Sequence, residues 1–310
     1  MDPIVIACIA VFVVWILLEM KTSRSDGTLV KTIHPYRKLM PYIMPGRNES
    51  IAYLNLHVRA EALEDYLKEA GPKFGANITH ATVAGVAYAL HHHSKMNRFV
   101  MGRRTYQRKG VWLTFSMKRQ KLNKEAKLAV VKLRMKDGET FEQLCKRING
   151  KISHERSGKK THADKEYALF NLLPRTLLRA SVSLVKLLDY YNLLPRFFIE
   201  PDGMYTSAFV ANLGSIGLSP AWHHLYEWGN CPFFMSFGTI EERVVWEDGE
   251  AKPIRVLPFV LAFDERIEDG LSGRHGVDDF RQLMENPRHF FGCLSEDGSD
   301  HHPMLEKQTR

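Results

Sequence analysis

Four carboxylates crowd around one arginine between residues 264 and 269: Asp264, Glu265, Glu268 and Asp269 flank Arg266. Acidic groups this close repel one another, so at least one must be desolvated, ion-paired or put to work as a proton carrier. The chemistry within reach is general base catalysis, in which a carboxylate held in a dry site takes a proton from a hydroxyl or a thiol. Gly270 follows the cluster, and His275, ten residues past Glu265, is a second candidate base. The other reading of Glu265 is a salt bridge with Arg266 or another nearby base.

Other reactive residues are scattered. Cys8, Cys145, Cys231 and Cys293 form no C-x-x-C pair, so neither a disulfide framework nor a zinc site is implied. The histidine runs at 91–93 and 223–224 place neighbours on different sides of a helix or strand, which makes poor chelates, so no metal site is expected.

Positioning the acidic cluster takes a strand before it and a helix after it. Val256 to Phe263 is an almost unbroken apolar run, the pattern of a strand buried on both faces. Val277, Phe280, Leu283 and Met284 then recur at helical spacing. Upstream, Ser50 to Arg59 alternates as a strand, Ala60 to Ala70 has helical spacing stopped by Gly71-Pro72, and Thr79 opens a helix through Leu90. Val111 to Met117 and Leu128 to Met135 read as paired strands, Thr140 begins a helix, and residues 247–250 read as a hairpin turn. Pro41 to Arg47 reads as an extended or turning stretch.

The chain has 310 residues and 45% hydrophobic residues, enough for a full globular core, with 43 Lys and Arg against 35 Asp and Glu for a net charge of +8. That charge suits an anionic lipid or a phosphorylated cofactor; nucleic acid is not expected, because no recognition motif accompanies it. Ile4 to Leu18 is uninterruptedly apolar apart from the amphipathic Trp15. Residues 1–20 therefore read as a single-pass transmembrane anchor. A cleaved signal peptide is the rival, but it would carry basic residues before the run, where only Asp2 stands. Lys21, Arg24, Lys31, Arg37 and Lys38 all follow the span, so the positive-inside rule puts the body in the cytoplasm. Residues 21–32 read as a linker, 33–294 as the folded domain with an inserted helical segment at 151–200, and 295–310 as a flexible polar tail. Within the insert, Leu177, Leu178, Val182, Leu184, Val185, Leu188 and Tyr191 make an apolar face opposite Arg175, Arg179, Ser183 and Lys186. Core packing, partner docking and a helix lying in the membrane surface remain the three readings.

The stretch from Phe263 to Pro287 resembles the last strand, catalytic turn and following helix of the 2-oxoacid dehydrogenase acyltransferase (E2) catalytic core, the fold shared with chloramphenicol acetyltransferase. That family's signature is F-D-H-R-x-x-D-G followed by a helix closing on E-N-P. Phe263, Asp264, Arg266, Asp269, Gly270, Glu285, Asn286 and Pro287 match it without a gap, and Glu265 stands where the family has its catalytic histidine. Ile78 to Arg98, ending in Ser-Lys-Met-Asn-Arg, is similar to the family's long helix and P-x-x-N-R. Met204 to Gly214 resembles its strand ending in T-x-S-N-L-G, with Asn212 in place and Ala211 at the position of the serine that supports the tetrahedral intermediate. The resemblance spans roughly Lys38 to Pro287.

The resemblance implies an α/β two-layer sandwich of the coenzyme A-dependent acyltransferase type, assembled as homotrimers with the active site in a channel between neighbours. It implies coenzyme A as substrate, Glu265 and Asn212 as the catalytic pair, and Asp269, Arg266, Gly270 and Ala211 as shaping the site. No lipoyl or subunit-binding domain fits in the residues ahead of Ile33, so a lipoyl acceptor would arrive on another protein. A thiol near pKa 8.5 gives its proton to an imidazole near 6.5 far more easily than to an ordinary carboxylate near 4.3, and the added handicap is about 3 kcal/mol. Desolvation strengthens a carboxylate as a base and recovers part of that. Loss of one oxyanion donor costs about a hundredfold to a thousandfold, unless Asn212, Ser207 or Thr239 replaces it. The expectation is a membrane-anchored acyltransferase moving an acyl group between coenzyme A and a thiol or other acceptor. The alternatives are a catalytically silent trimeric scaffold binding partners or lipid at the membrane, and a lipid-surface module built on residues 175–191.

Overall fold

A computed structural model describes residues 2–118, 128–157, 172–268, 270–292, 294 and 303–304. Asp269 and Cys293, part of the insert and most of the expected tail lie outside the described residues.

In chain order the elements are helix α1 (Pro3–Met20), strand β1 (Gly27–Leu29), α2 (Pro35–Ile43), β2 (Ile51–Arg59), α3 (Glu61–Phe74), α4 (Ile78–His92), β3 (Arg98–Met101), β4 (Arg104–Arg108), β5 (Trp112–Lys118) and β6 (Leu128–Arg134). There follow α5 (Phe141–Arg156), α6 (Arg175–Tyr190), α7 (Arg196–Ile199), β7 (Ala208–Asn212), β8 (Phe233–Phe237), β9 (Glu241–Glu247), β10 (Glu250–Asp264), α8 (Gly270–Glu285) and α9 (Pro287–Phe291).

The main sheet runs β2-β10-β8-β7-β5-β6, with β9 hairpinned onto the first half of β10. Only β7 lies parallel to its neighbours, β5 and β8. Period-two alternation sorts the side chains. Leu257, Phe259 and Leu261 of β10, Phe233 and Met235 of β8, and Ala208 and Val210 of β7 face a helical layer supplying Leu63, Val83, Phe141, Phe280 and Met284. The intervening Phe209, Ala211, Phe234 and Ala262 face the other way, under Leu225 and Cys231. This is the expected two-layer α/β sandwich, with Val256 to Ala262 buried throughout.

Local signals set the helix ends. Asn77 caps α4 by accepting from the amides of Thr79 and His80. Thr140 and Gln143 form a reciprocal capping box at the start of α5. Two expected breaks are not breaks: α2 runs through Pro41, and α3 continues through Gly71-Pro72 to end at Gly75, φ 75°. In both, burial of one face (Met40 and Pro41; Leu63, Tyr66 and Ala70) outweighs the cost of a proline in the last turns.

Residues 21–32 are not a linker. Arg24 is 7% exposed, pairs with Asp26 at 2.9 Å and Asp189 at 2.8 Å, and lies over the Phe99 and Tyr106 rings. Strand β1 joins a small sheet ordered β1-β4-β3. The folded unit therefore takes in the chain from the end of α1 onward. Helix α1 itself is 18 residues of mean hydropathy 2.6 with nothing buried, long and apolar enough to cross a membrane; a signal sequence has the same properties. Ile4, Trp15 and Leu18 lie on it.

His80, 1% exposed in the first turn of α4, has its Nε2 3.2 Å from Asn149 Oδ1 and no partner for Nδ1. Burial pushes its pKa down to about 4 against the opposing pull of the Asn149 contact. The unfolded chain accepts a proton near pH 6.5 that the folded chain refuses, so this residue's contribution is complete above pH 6.5 and is lost as pH falls toward 4. The gap corresponds to about 3 kcal/mol. Urea unfolding across that range should show this acid-side slope, and His80→Gln should flatten it; an identical slope in both proteins would rule the assignment out.

Candidate functional site

Strand β10 pairs with β2 from Val256↔Arg59 to Asp264↔Ile51, which sets the acidic bend against Ser50 and the preceding turn. Asp264 and Arg266 are 1% and 2% exposed and share a two-pronged ion pair: Nε to Oδ1 at 2.8 Å and Nη2 to Oδ2 at 2.7 Å. Ser50 Oγ donates to Oδ1 at 3.0 Å, and Arg266 Nη1 donates to the carbonyls of Met44 and Pro45 at 2.8 and 3.0 Å. Every strong donor and acceptor of the pair is thus engaged, the condition under which a buried ion pair is tolerated.

With Arg266 taken, the salt bridge weighed for Glu265 does not form. Glu265 is half-buried; its amide donates to Ser50 O at 3.0 Å and its carbonyl accepts from Arg37 Nη1 at 3.2 Å. Among the described residues, no hydrogen bond or ion pair engages its carboxylate. Glu268 is buried, with carboxylate oxygens 4.0 Å from Arg37 Nη2 and 3.9 Å from Arg98 Nη1. The sequence reading missed this three-residue contact, because its two arginines come from distant elements. Gly270 opens α8, and a Cβ there would meet no atom within 4 Å.

At the end of β7, Asn212 is fully committed: Nδ2 donates to Thr79 Oγ1 at 2.9 Å, and Oδ1 accepts from the Ser215 amide at 2.8 Å. It ties the strand to the first turn of α4. Ala211 lies on the opposite face, packed with Phe234, Leu225 and Cys231. Ser207 sits before the start of β7, its Oγ accepting from the Trp112 amide at 3.0 Å, and Thr239 is exposed beyond β8.

These positions do not meet within one chain. Ala211 pairs with Ser236, and Ser236 with Val260. Glu265 is five residues further along β10 and two strands across, on the order of 20 Å away by strand geometry. His275 is exposed on α8 and stacks near His93, whose Nε2 is 2.7 Å from Asp279.

A cavity of about 480 Å³ lies beside the bend, between the helix-facing side of β2, β8 and β10 and the underside of α8. Ile267 and Glu268 line it where it meets the bend; Glu265 does not.

Helix α6 forms where expected, but core packing is not its role. Asp189 is its only buried residue, while Leu177, Leu184 and Leu187 are more than half exposed. Val185 and Leu188 pack on a satellite cluster of Leu194, Ile199 and Tyr205. Arg175, Arg179 and Lys186 are exposed along it. Its C-terminal end is joined to the end of α1, where Asn192 Nδ2 donates to Lys21 O at 2.9 Å, and β4 is joined there too, Arg104 reaching the Glu19 carboxylate at 3.0 Å.

No family model matches the chain, and no curated protein does. Solved structures do. A probable dihydrolipoamide acetyltransferase from Listeria monocytogenes 4b F2365 is similar at TM-score 0.56 and 15% identity, over 88% of this chain and 98% of that one. The cubic core of a pyruvate dehydrogenase multienzyme complex is similar at 0.55 and 15%, over 84% and 94%. The dihydrolipoamide acetyltransferase of Azotobacter vinelandii is similar at 0.54 and 16%, over 84% and 94%. The chain therefore has the two-layer α/β fold of the dihydrolipoyl acyltransferase catalytic core, with a glutamate at the bend that follows β10.

Proposed function

We propose that the protein is an acyltransferase of the 2-oxoacid dehydrogenase core type, moving an acyl group between coenzyme A and a thiol acceptor, and anchored to a membrane by α1. The observation that carries this reading is the Glu265 carboxylate, half-buried and uncommitted beside Asp264, Arg266 and Glu268, each of which is ion-paired. In the similar Azotobacter enzyme a serine, a histidine and an asparagine were investigated for catalysis, the last two four positions apart, as Glu265 and Asp269 are here.

In this mechanism the Glu265 carboxylate takes the proton from the attacking thiol. The thiolate adds to the thioester carbonyl carbon, and the oxyanion collapses by breaking the old carbon–sulfur bond. The departing thiolate takes the proton back from Glu265.

Because Ala211 and Asn212 lie far from Glu265 in one chain, a second copy completes the site, and a homotrimer is the assembly that fits. The β9–β10 hairpin supports it, extending past the sheet with Val244 and Trp246 71% and 75% exposed. One of the similar structures is itself a cubic core. A lipoylated protein in trans is the acceptor this reading takes. One observation favours the silent-scaffold reading instead: Ala211, where an oxyanion donor is expected, sits among apolar side chains.

Full-length protein should transfer acetyl groups from acetyl-coenzyme A to dihydrolipoamide, read as S-acetyl product by mass spectrometry. Glu265→Gln should lower kcat about a hundredfold or more with KM little changed. Coenzyme A binding with no transfer in the unaltered protein would decide for the scaffold. Ala211→Ser should raise kcat/KM about tenfold by returning a donor to the oxyanion; no gain would mean that this strand does not face the reacting carbonyl. Alkaline carbonate should leave the protein in the membrane pellet, whereas release into the supernatant would exclude a spanning α1.

A further inference from the structure

The cavity beneath α8 is not explained by the chemistry at Glu265. Its walls are Leu54, Leu56, Phe233, Leu261, Phe263 and Val277, and it continues inward as a narrow void of about 40 Å³ that reaches Val86, Leu90 and Phe280. Its size falls within the ~300–1,000 Å³ of small-ligand pockets, and so does its make-up, apolar walls with a few charged groups at one end.

The helix over it is built to leave the space open. Glycines recur at 270, 273 and 276, one per turn on one face. Glycine inside a helix costs stability relative to alanine, so each asks for a reason. At Gly276 the reason is contact, since a Cβ would meet Met96 Sδ. At Gly270 and Gly273 a Cβ would touch nothing, and both line the cavity.

Four charged side chains line the cavity, Glu268, Arg274, Asp278 and Arg281. Asp278 lies between Arg274, at 3.4 Å, and Arg281, at 3.8 Å, leaving one positive charge in excess. Glu268 borders the cavity toward the bend, with Arg37 and Arg98 about it. A largely apolar cavity lined along α8 by Arg274 and Arg281 complements an aliphatic chain that ends in an anionic head.

We propose that this cavity is an acyl-chain subsite, which takes the tail of a fatty acyl group and holds its anionic head at Arg274 and Arg281. That the head is coenzyme A rather than a free carboxylate rests on the acyltransferase reading; the chain site does not.

The test uses full-length protein in phosphatidylcholine nanodiscs and a dodecanoyl-coenzyme A analogue with a diazirine near the chain end. Photolabelling should map to peptides of β2 and α8, and excess dodecanoyl-coenzyme A should reduce it at least tenfold while acetyl-coenzyme A does not. Gly273→Leu, whose side chain points into the cavity and favours the helix, should abolish labelling without lowering Tm; Gly273→Ala should weaken it. Competition by dodecanoate as strong as that by dodecanoyl-coenzyme A supports a chain site read by a carboxylate, and weaker competition one read by the coenzyme. Labelling confined to α1, or unchanged in Gly273→Leu, would overturn the proposal. Glu265→Gln should label normally, which separates the two readings. Acetyl transfer without chain labelling leaves the enzyme and removes the subsite; chain labelling without any transfer does the reverse.

Discussion

The Asp264–Arg266 ion pair is the constraint on which the candidate site depends. Removing two charges from water costs several kcal/mol per ion, and the cost is offset here because both oxygens of the carboxylate and the whole guanidinium edge find partners at 2.7–3.1 Å. Those partners come from three places: the end of β10, Ser50 at the start of β2, and the turn at Met44 and Pro45. The pair therefore locks the turn before the edge strand β2 to the bend after its neighbour β10. It also consumes the one arginine adjacent in sequence to Glu265, which leaves that carboxylate uncommitted.

The rest of the sheet sets the distance between the end of β7 and the bend after β10. Strands β7 and β8 are parallel while β8 and β10 are antiparallel, so the C-terminal ends of β7 and β10 lie at opposite ends of the sheet. The strand end carrying Ala211 and Asn212 and the bend carrying Glu265 therefore lie on the order of 20 Å apart within one chain. The hairpin that extends β10 backward beyond the sheet exposes two large apolar side chains, Val244 and Trp246, on that side of the fold.

What could be read from the sequence was what is written in adjacent residues. The run Val256 to Phe263, the β5–β6 pair and the hairpin at 247–250 each depend on short-range pattern, and the structure has them. Residues 21–32 were misread because their order is bought by Asp189, 165 positions away from Arg24. Composition registers Ser, Asp and Gly but not a distant partner. Pro41, Gly71 and Pro72 were misread as breaks because burial of one helix face overrode local preference. The apolar face of α6 was legible, but what it meets was not, since an amphipathic stripe has the same periodicity against a core, a partner or lipid. The cavity left one trace, the glycines at 270, 273 and 276, which gain meaning only once the helix is seen lying over the sheet.

Chemistry and cavity bear on each other through water. A carboxylate is a weak base toward a thiol in water, and the handicap relative to an imidazole shrinks only where solvent is excluded and charges act through a low dielectric. The ion pair, the Glu268 contact with two arginines and the apolar slot beneath α8 surround the bend with groups that are either saturated or unable to hydrogen-bond. A chain seated in the slot would expel water from beside Ile267 and Glu268, where the cavity meets the bend. On that reading, tail and thioester act together: the part of the substrate that does not react supplies the dryness that a glutamate needs where a histidine would not.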